Sequence, residues 1–147
     1  MNHLDEEYGG EVPDIIDNGF VTVDFERGAR AMLDLCMFAE ASRNEQEIAA
    51  TGDAGKVECS IPDSTLVIGR RRPHSVTREK IGVDESTRAA GSHHGSTFVE
   101  HREFRNAVLT GGPPAVSAED GLRAVAMGVA AERSAAEGRP VAISELL

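Results

Sequence analysis

Tryptophan is missing from this chain, tyrosine occurs once, and all aromatics together make up 4% of 147 residues. A stacking platform for single-stranded nucleic acid is therefore excluded. Positive charge is also short. Fifteen Lys and Arg stand against 25 Asp and Glu, for a formal net charge of -10. A basic surface tracking a phosphate backbone does not fit that balance, so no nucleic-acid partner is expected. No stretch approaches the ~18 apolar residues that would cross a bilayer, so no membrane partner is expected either. The start, Met1 to Glu7, lacks the basic and apolar regions of a signal peptide. Cys36 and Cys59 are the only cysteines and form no CxxC pair. They read as buried free thiols in a reducing cytoplasm, with a disulfide as the alternative.

Glycine is present but never at i and i+2. None of the 15 glycines forms a GxG pair, so the dinucleotide fingerprint GxGxxG cannot occur. Gly55-Lys56 lacks the upstream glycine of a phosphate-binding P-loop, and GxSxG and HExxH are absent. No catalytic, cofactor-binding or metal-binding residue is expected from any of these motifs.

What remains is an ordinary globular composition, 40% apolar and 27% charged, in a length that suits one domain. Residues 1–18 are acidic and carry Gly9, Gly10 and Pro13, which predicts an irregular lead-in; residues 19–147 form the domain. Phe20–Phe25 alternates, with Val21, Val23 and Phe25 on one face, and predicts a strand. Gly28 supplies a tight turn into the run Ala29–Phe38, in which Ala31, Leu33, Leu35 and Met37 share a face; Leu, Met and Ala also suit a helix. A second hairpin follows from Glu45–Thr51, the turn Gly52–Gly55, and Lys56–Ile61. Thr65–Arg70 and Ser75–Val83 continue as strands, and Asp84–Gly91 reads as polar loop.

Beyond that loop the apolar period changes from two to about 3.6. Thr97 and Glu100 have capping-box spacing for a helix through Phe104, Ala107 and Val108, closed by Gly111 and Gly112. Ser117 predicts the cap of a second helix with Glu119 and Asp120 in its first turn. Leu122, Val125, Ala126, Val129 and Ala130 fall on one helical stripe, which Gly138 ends. Pro140–Ile143 is expected as a short strand. Strands in hairpins followed by helices predict an α+β fold: a mostly antiparallel open sheet with helices on one face.

One polar cluster carries potential chemistry, Gly91-Ser92-His93-His94-Gly95-Ser96, with His101 further on. His93 and His94 could line a polar pocket, hydrogen-bonding hydroxyls or exchanging protons near neutral pH. The alternative is a solvated loop that caps the helix. Adjacent histidines chelate poorly, and no Cys or acidic pair completes a metal set. Arg70-Arg71-Arg72 could grip a phosphate, or could be a charged sheet edge that discourages aggregation. Cys36 reads as packing rather than as a nucleophile.

These segments resemble the C-terminal domain of Gfo/Idh/MocA-type oxidoreductases. The similarity runs through Asn18–Ala31, through Arg43–Ile48 with Thr51–Glu58, and above all through the closing segment. There Phe98, Glu100, Phe104, Gly111, Gly112, Pro114, Ser117, Asp120, Gly121, Ser134, Gly138, Arg139, Pro140 and Val141 carry it. The resemblance implies an NAD- or NADP-binding Rossmann domain preceding this one. It also implies an open sheet that forms a dimer interface, and hydride transfer on sugars, inositols or related polyols. The family's catalytic Lys in an EKP-like motif and its Asp/His helix find no counterpart in this sequence. The expectation is therefore a substrate-binding and oligomerisation domain of a truncated or split chain that is inactive alone, with His93 and His94 beside the substrate pocket. Partners would be a second copy or a separate Rossmann-domain chain, and a small polyol or sugar. The alternatives are a non-enzymatic dimerisation or carbohydrate-binding module, and a phosphate-recognising regulator using Arg70 to Arg72.

Overall fold

The computed structural model describes residues 15–39, 41–90 and 93–147. Most of the expected lead-in, residues 1–14, and the first two residues of the histidine cluster, Gly91 and Ser92, lie outside the described residues. The chain divides into two compact units, Met1–Glu45 and Gln46–Leu147.

The first unit is an antiparallel hairpin of β1 (Asn18–Asp24) and β2 (Arg30–Cys36). Its register pairs Val21 with Leu33, Val23 with Ala31 and Gly19 with Leu35. Directly paired residues share a face, so the predicted apolar stripe does form. Helical propensity in Ala29–Phe38 is overridden by this cross-strand pairing. Gly28 sits at φ 85° and turns the chain, its amide donating to the Phe25 carbonyl at 2.8 Å. The Met37 amide closes the far end on the Asp17 carbonyl at 2.8 Å, and Asp17 is buried. Cys36 falls on the opposite face, with Asp34, Met32 and Phe20, and is exposed rather than buried as expected. Cys59 is half-buried, and both cysteines are free thiols.

The second unit opens with four antiparallel strands in chain order: β3 (Gln46–Thr51), β4 (Gly55–Ile61), β5 (Thr65–Arg70) and β6 (Ser75–Lys80). Period-two alternation sorts this sheet into two unlike faces. Ile48, Cys59 and Leu66 line up across one face, beside Ala50, Val57 and Ile68. Glu47, Ser60, Thr65 and Lys80 line up across the other, beside Glu58 and Arg78. Gly55 is required where β4 starts, because a Cβ there would lie 1.9 Å from the Gly69 carbonyl oxygen.

The predicted polar loop after β6 contains a short helix, α1 (Glu85–Arg88). Asp84 accounts for it. One of its carboxylate oxygens accepts from the Ser86 amide at 2.9 Å, the Thr87 amide at 3.2 Å and the Ser86 hydroxyl, supplying the cap that lets a polar segment turn. The Ser86 hydroxyl, then the Thr87 and Ser86 amides, hold the Asp84 carboxyl below its ordinary value.

A 3-10 turn (His93–Gly95) leads into α2 (Ser96–Thr110). The expected Thr97 capping box does not form. The helix starts two residues earlier, with left-handed Gly95 at the cap position and no side-chain cap. Gly111 ends α2 in the left-handed conformation, as its position implied.

Ser117 caps α3 (Ala118–Glu137) in a full capping box. Its hydroxyl accepts from the Asp120 amide at 3.1 Å, and Asp120 reaches back to the Ser117 amide at 3.1 Å. Ala126 and Ala130 of the predicted stripe are buried, at 5% and 7% exposure, whereas Val125 stays 65% exposed. Among the described residues no element covers the larger members of that stripe. Gly138 terminates α3 at φ 64°. The expected terminal strand over Pro140–Ile143 is replaced by a 3-10 turn, Ile143–Glu145. A strand there needs a ladder partner; instead Glu145 folds back onto the Ala142 amide at 3.0 Å and onto Arg139. The α+β class stands: the strands are antiparallel and precede the helices.

Candidate functional site

The segment around His93 and His94 is shaped by three consecutive left-handed residues. His93 has φ 54°, His94 φ 56° and Gly95 φ 88°. Two of these are not glycine, and such backbone is uncommon outside turns and sites. The last of the three packs against α1. A Cβ at Gly95 would lie 1.9 Å from the Thr87 carbonyl oxygen, so glycine alone fits under α1. The Ser96 hydroxyl ties the turn by donating to the His93 carbonyl at 2.9 Å. His93 is exposed and His94 half-buried.

α1 is in turn anchored to the sheet. Arg88 Nη2 donates to the Pro62 carbonyl and to the Ser64 hydroxyl, both at 3.2 Å. In the same β4–β5 turn Asp63 accepts from Lys80 Nζ at 2.8 Å and from the Thr65 hydroxyl. The chain of contacts thus runs from sheet turn to α1 to the histidine turn to α2.

Immediately beyond, Ser96, Glu100, His101, Phe104 and Val116 line an open groove of about 520 Å³ between α2 and residues 114–116. Residues 96, 100 and 104 lie four apart and so share one helix face, which is the only trace of the groove in the sequence. His101 Nδ1 donates to the Thr97 carbonyl at 2.8 Å, which leaves Nε2 as its outward nitrogen. The groove offers carboxylates, an imidazole and an exposed phenyl ring, groups that hydrogen-bond hydroxyls and cover C–H surfaces. His93 and His94 precede this groove and are not among its walls.

A second hollow, about 280 Å³, lies on the polar sheet face among Glu47, Ala49, Glu58, Ser60, Val67 and Arg78. Its signal in the sequence is the alternation itself, which places every second residue of the neighbouring strands on one side. The Arg70–Arg72 run spans the end of β5 and the start of the β5–β6 turn and lines neither hollow. Among the described residues no three His, Cys, Asp or Glu side chains come close enough to hold a metal ion. No helix of the described residues is long and apolar enough to cross a membrane.

A dinucleotide finds none of its usual cradle among the described residues. Its pyrophosphate needs a strand, a glycine turn and a free helix N-terminus in succession. Among the described residues β1 and β3 to β5 each lead into a hairpin turn, β6 leads into α1, whose first amides Asp84 fills, and α2, which has no side-chain cap, follows the His93–Gly95 turn and not a strand.

Comparison with known proteins agrees with this architecture. Residues 1–143 match the family described as the oxidoreductase family, C-terminal alpha/beta domain (Gfo/Idh/MocA). The chain is 29% identical over 147 residues to the myo-inositol 2-dehydrogenase of Thermotoga maritima, covering 98% of this chain and 41% of that protein. The solved structure of an oxidoreductase from Agrobacterium radiobacter, in complex with NAD+, L-tartaric acid and magnesium, superposes with a TM-score of 0.75 at 22% identity. The match covers 89% of this chain and 39% of that one. The chain thus spans about two fifths of the length of these relatives, and it belongs to the Gfo/Idh/MocA oxidoreductase family as a C-terminal α/β domain.

Proposed function

We propose that this chain is the substrate-binding and oligomerisation domain of a cytoplasmic NAD(P)-dependent oxidoreductase that acts on an inositol, a sugar or a related polyol, and that it does not itself hold the dinucleotide. The family match over residues 1–143 carries this proposal. The misfit of the dinucleotide supports its second half. The relative named as a myo-inositol dehydrogenase points to the polyol class. When bound elsewhere in the complete enzyme, NAD or NADP would supply hydride transfer at a hydroxyl-bearing carbon. This chain's own part is to bind and orient the hydroxyls. His93 and His94 are the proposed contacts, because a neutral imidazole both donates to and accepts from a hydroxyl. The catalytic groups come from outside these residues, from a preceding Rossmann domain or a separate chain bearing one.

Calorimetric titration of the 147-residue chain with NADH tests the proposal. No binding is expected, and tight nicotinamide binding overturns it. Titration with myo-inositol, followed by imidazole proton shifts, tests the histidines. Shifts are expected at His93 and His94, with His3 and His74 as internal references. Equal movement of all four, or none at His93 and His94, removes the pair from the site.

A second reading, a non-enzymatic dimerisation module, is favoured by exposed apolar side chains in both units, among them Phe20, Met32, Phe104 and Val108. Sedimentation at micromolar concentration checks it, and a monodisperse monomer counts against it. Dehydrogenase activity on mixing with a Rossmann-domain chain decides for the enzyme.

A further inference from the structure

The β5–β6 turn is an unneutralised cationic knuckle in an acidic chain. Arg70 ends β5, paired with Gly55 on one side and Ser75 on the other. Arg71, Arg72, Pro73 and His74 then make the turn, all exposed. The backbone is buttressed by the neighbouring turn, since the Arg71 amide donates to the Ala54 carbonyl at 2.9 Å and Arg71 Nη1 reaches the Asp53 carbonyl at 3.5 Å.

Many of the other cations find carboxylates: Arg30 with Asp24, Lys56 with Glu58, Lys80 with Asp63, Arg123 with Glu119, and Arg139 with Glu145. Among the described residues Arg70, Arg71 and Arg72 pair with none, although the chain carries ten more acids than bases. Consecutive guanidiniums repel one another, and a bound anion relieves that repulsion. A guanidinium presents its donors as a planar fork that matches a phosphate's oxygens two at a time. The scarcity of aromatics and the net charge of -10 argue against a nucleic-acid strand as the source.

We propose that the Arg70–His74 turn binds the phosphate group of a small anionic ligand. This site is separate from both hollows and does not depend on the polyol proposal. Arg71 Nη1 already donates to the Asp53 carbonyl, so the anion engages Arg70 and Arg72 more than Arg71. Salt weakens the binding, because the site is exposed.

The test is titration of the 147-residue chain with inorganic pyrophosphate at low salt, followed by the amide shifts of residues 53–55 and 70–75. Glycerol 3-phosphate is run in parallel, so that the tighter of the two separates a free from an esterified phosphate. Saturable shifts are expected, weakened about tenfold or more in an Arg70→Gln/Arg72→Gln variant. An Arg27→Gln/Arg43→Gln variant removes the same charge at exposed positions of the first unit and is expected to leave the affinity unchanged. Absence of saturation with either probe overturns the proposal. So does equal weakening in both variants, which would mean a response to net charge alone.

Discussion

Arg139 grips Glu145 with both ends of its guanidinium, Nη1 to Oε1 at 3.1 Å and Nη2 to Oε2 at 2.9 Å. Arg133 lies 3.6 Å from the same carboxylate, and Glu137 pairs with both arginines. The Arg139 guanidinium, then the Ala142 amide, pull the Glu145 carboxyl down from 4.5 to about 2, and Glu145 raises Arg139 further above its usual range. This network turns the chain back after α3 without a strand.

The pH dependence follows from that depressed value. Glu145 lends stability to the C-terminal turn that is fully present above about 4.5 and is lost as pH falls through about 2. Amide protection of residues 139–147, corrected for intrinsic exchange, is expected to hold at pH 5 and to disappear towards pH 2. Glu145→Gln is expected to lack that protection at both pH values, and full protection in the variant would count against the network.

Two glycines share nearly the same backbone but differ in surroundings. At Gly28, φ 85°, a methyl group would find nothing within 4 Å, whereas at Gly95, φ 88°, it would meet the Thr87 carbonyl at 1.9 Å. Gly28→Ala is expected to cost about 1 kcal/mol, the left-handed penalty alone. Gly95→Ala should cost about 3 kcal/mol or more, because α1 must also move. Urea denaturation of the two variants measures the difference, and equal costs would mean that α1 does not press on the histidine turn.

Ser117 closes the start of α3. Ser117→Ala is expected to destabilise that helix by about 1 kcal/mol, while Ser117→Asn retains most of the cap. The Ser117 hydroxyl and amide hold the Asp120 carboxyl below its ordinary value, so the box persists above the usual carboxylate range and weakens as pH falls through the depressed one. Thermal melts of the two variants at pH 7 check the ranking.

Arg88 joins α1 to the sheet through Pro62 and Ser64. Arg88→Ala is expected to cost about 1 kcal/mol and to speed amide exchange from residue 84 to 95. Strand amides of β4 and β5 should be unaffected. If exchange at 84–95 does not change, Arg88 does not anchor α1.

Local chemistry determined much of this protein directly. Alternation in Phe20–Phe25 and in Lys56–Ile61 specified strands, because a period of two leaves one face to cover. Gly28, Gly111 and Gly138 marked turns and helix ends, because each adopts a left-handed backbone. Ser117 announced α3 through its hydroxyl. The absence of any GxG pair excluded a dinucleotide fingerprint outright.

Contacts between segments distant in the chain decided the rest. Thr97 had the right spacing for a cap, yet α2 starts at Ser96, directly after Gly95, which passes beneath the Thr87 carbonyl. His93 and His94 stood out as a pair, but both adopt left-handed backbone in the turn before α2 and stand ahead of the groove along that helix. The polar run after β6 holds a helix that Asp84 caps and Arg88 fastens to a turn 26 residues earlier. Pro140–Ile143 looked extended, but no described strand pairs with it, and Arg139 closes on Glu145 instead. Spacing along a sequence shows which hydrogen bonds a residue is able to make with its neighbours. Which of them it makes depends on partners brought in from elsewhere, and those are set only when the chain has folded.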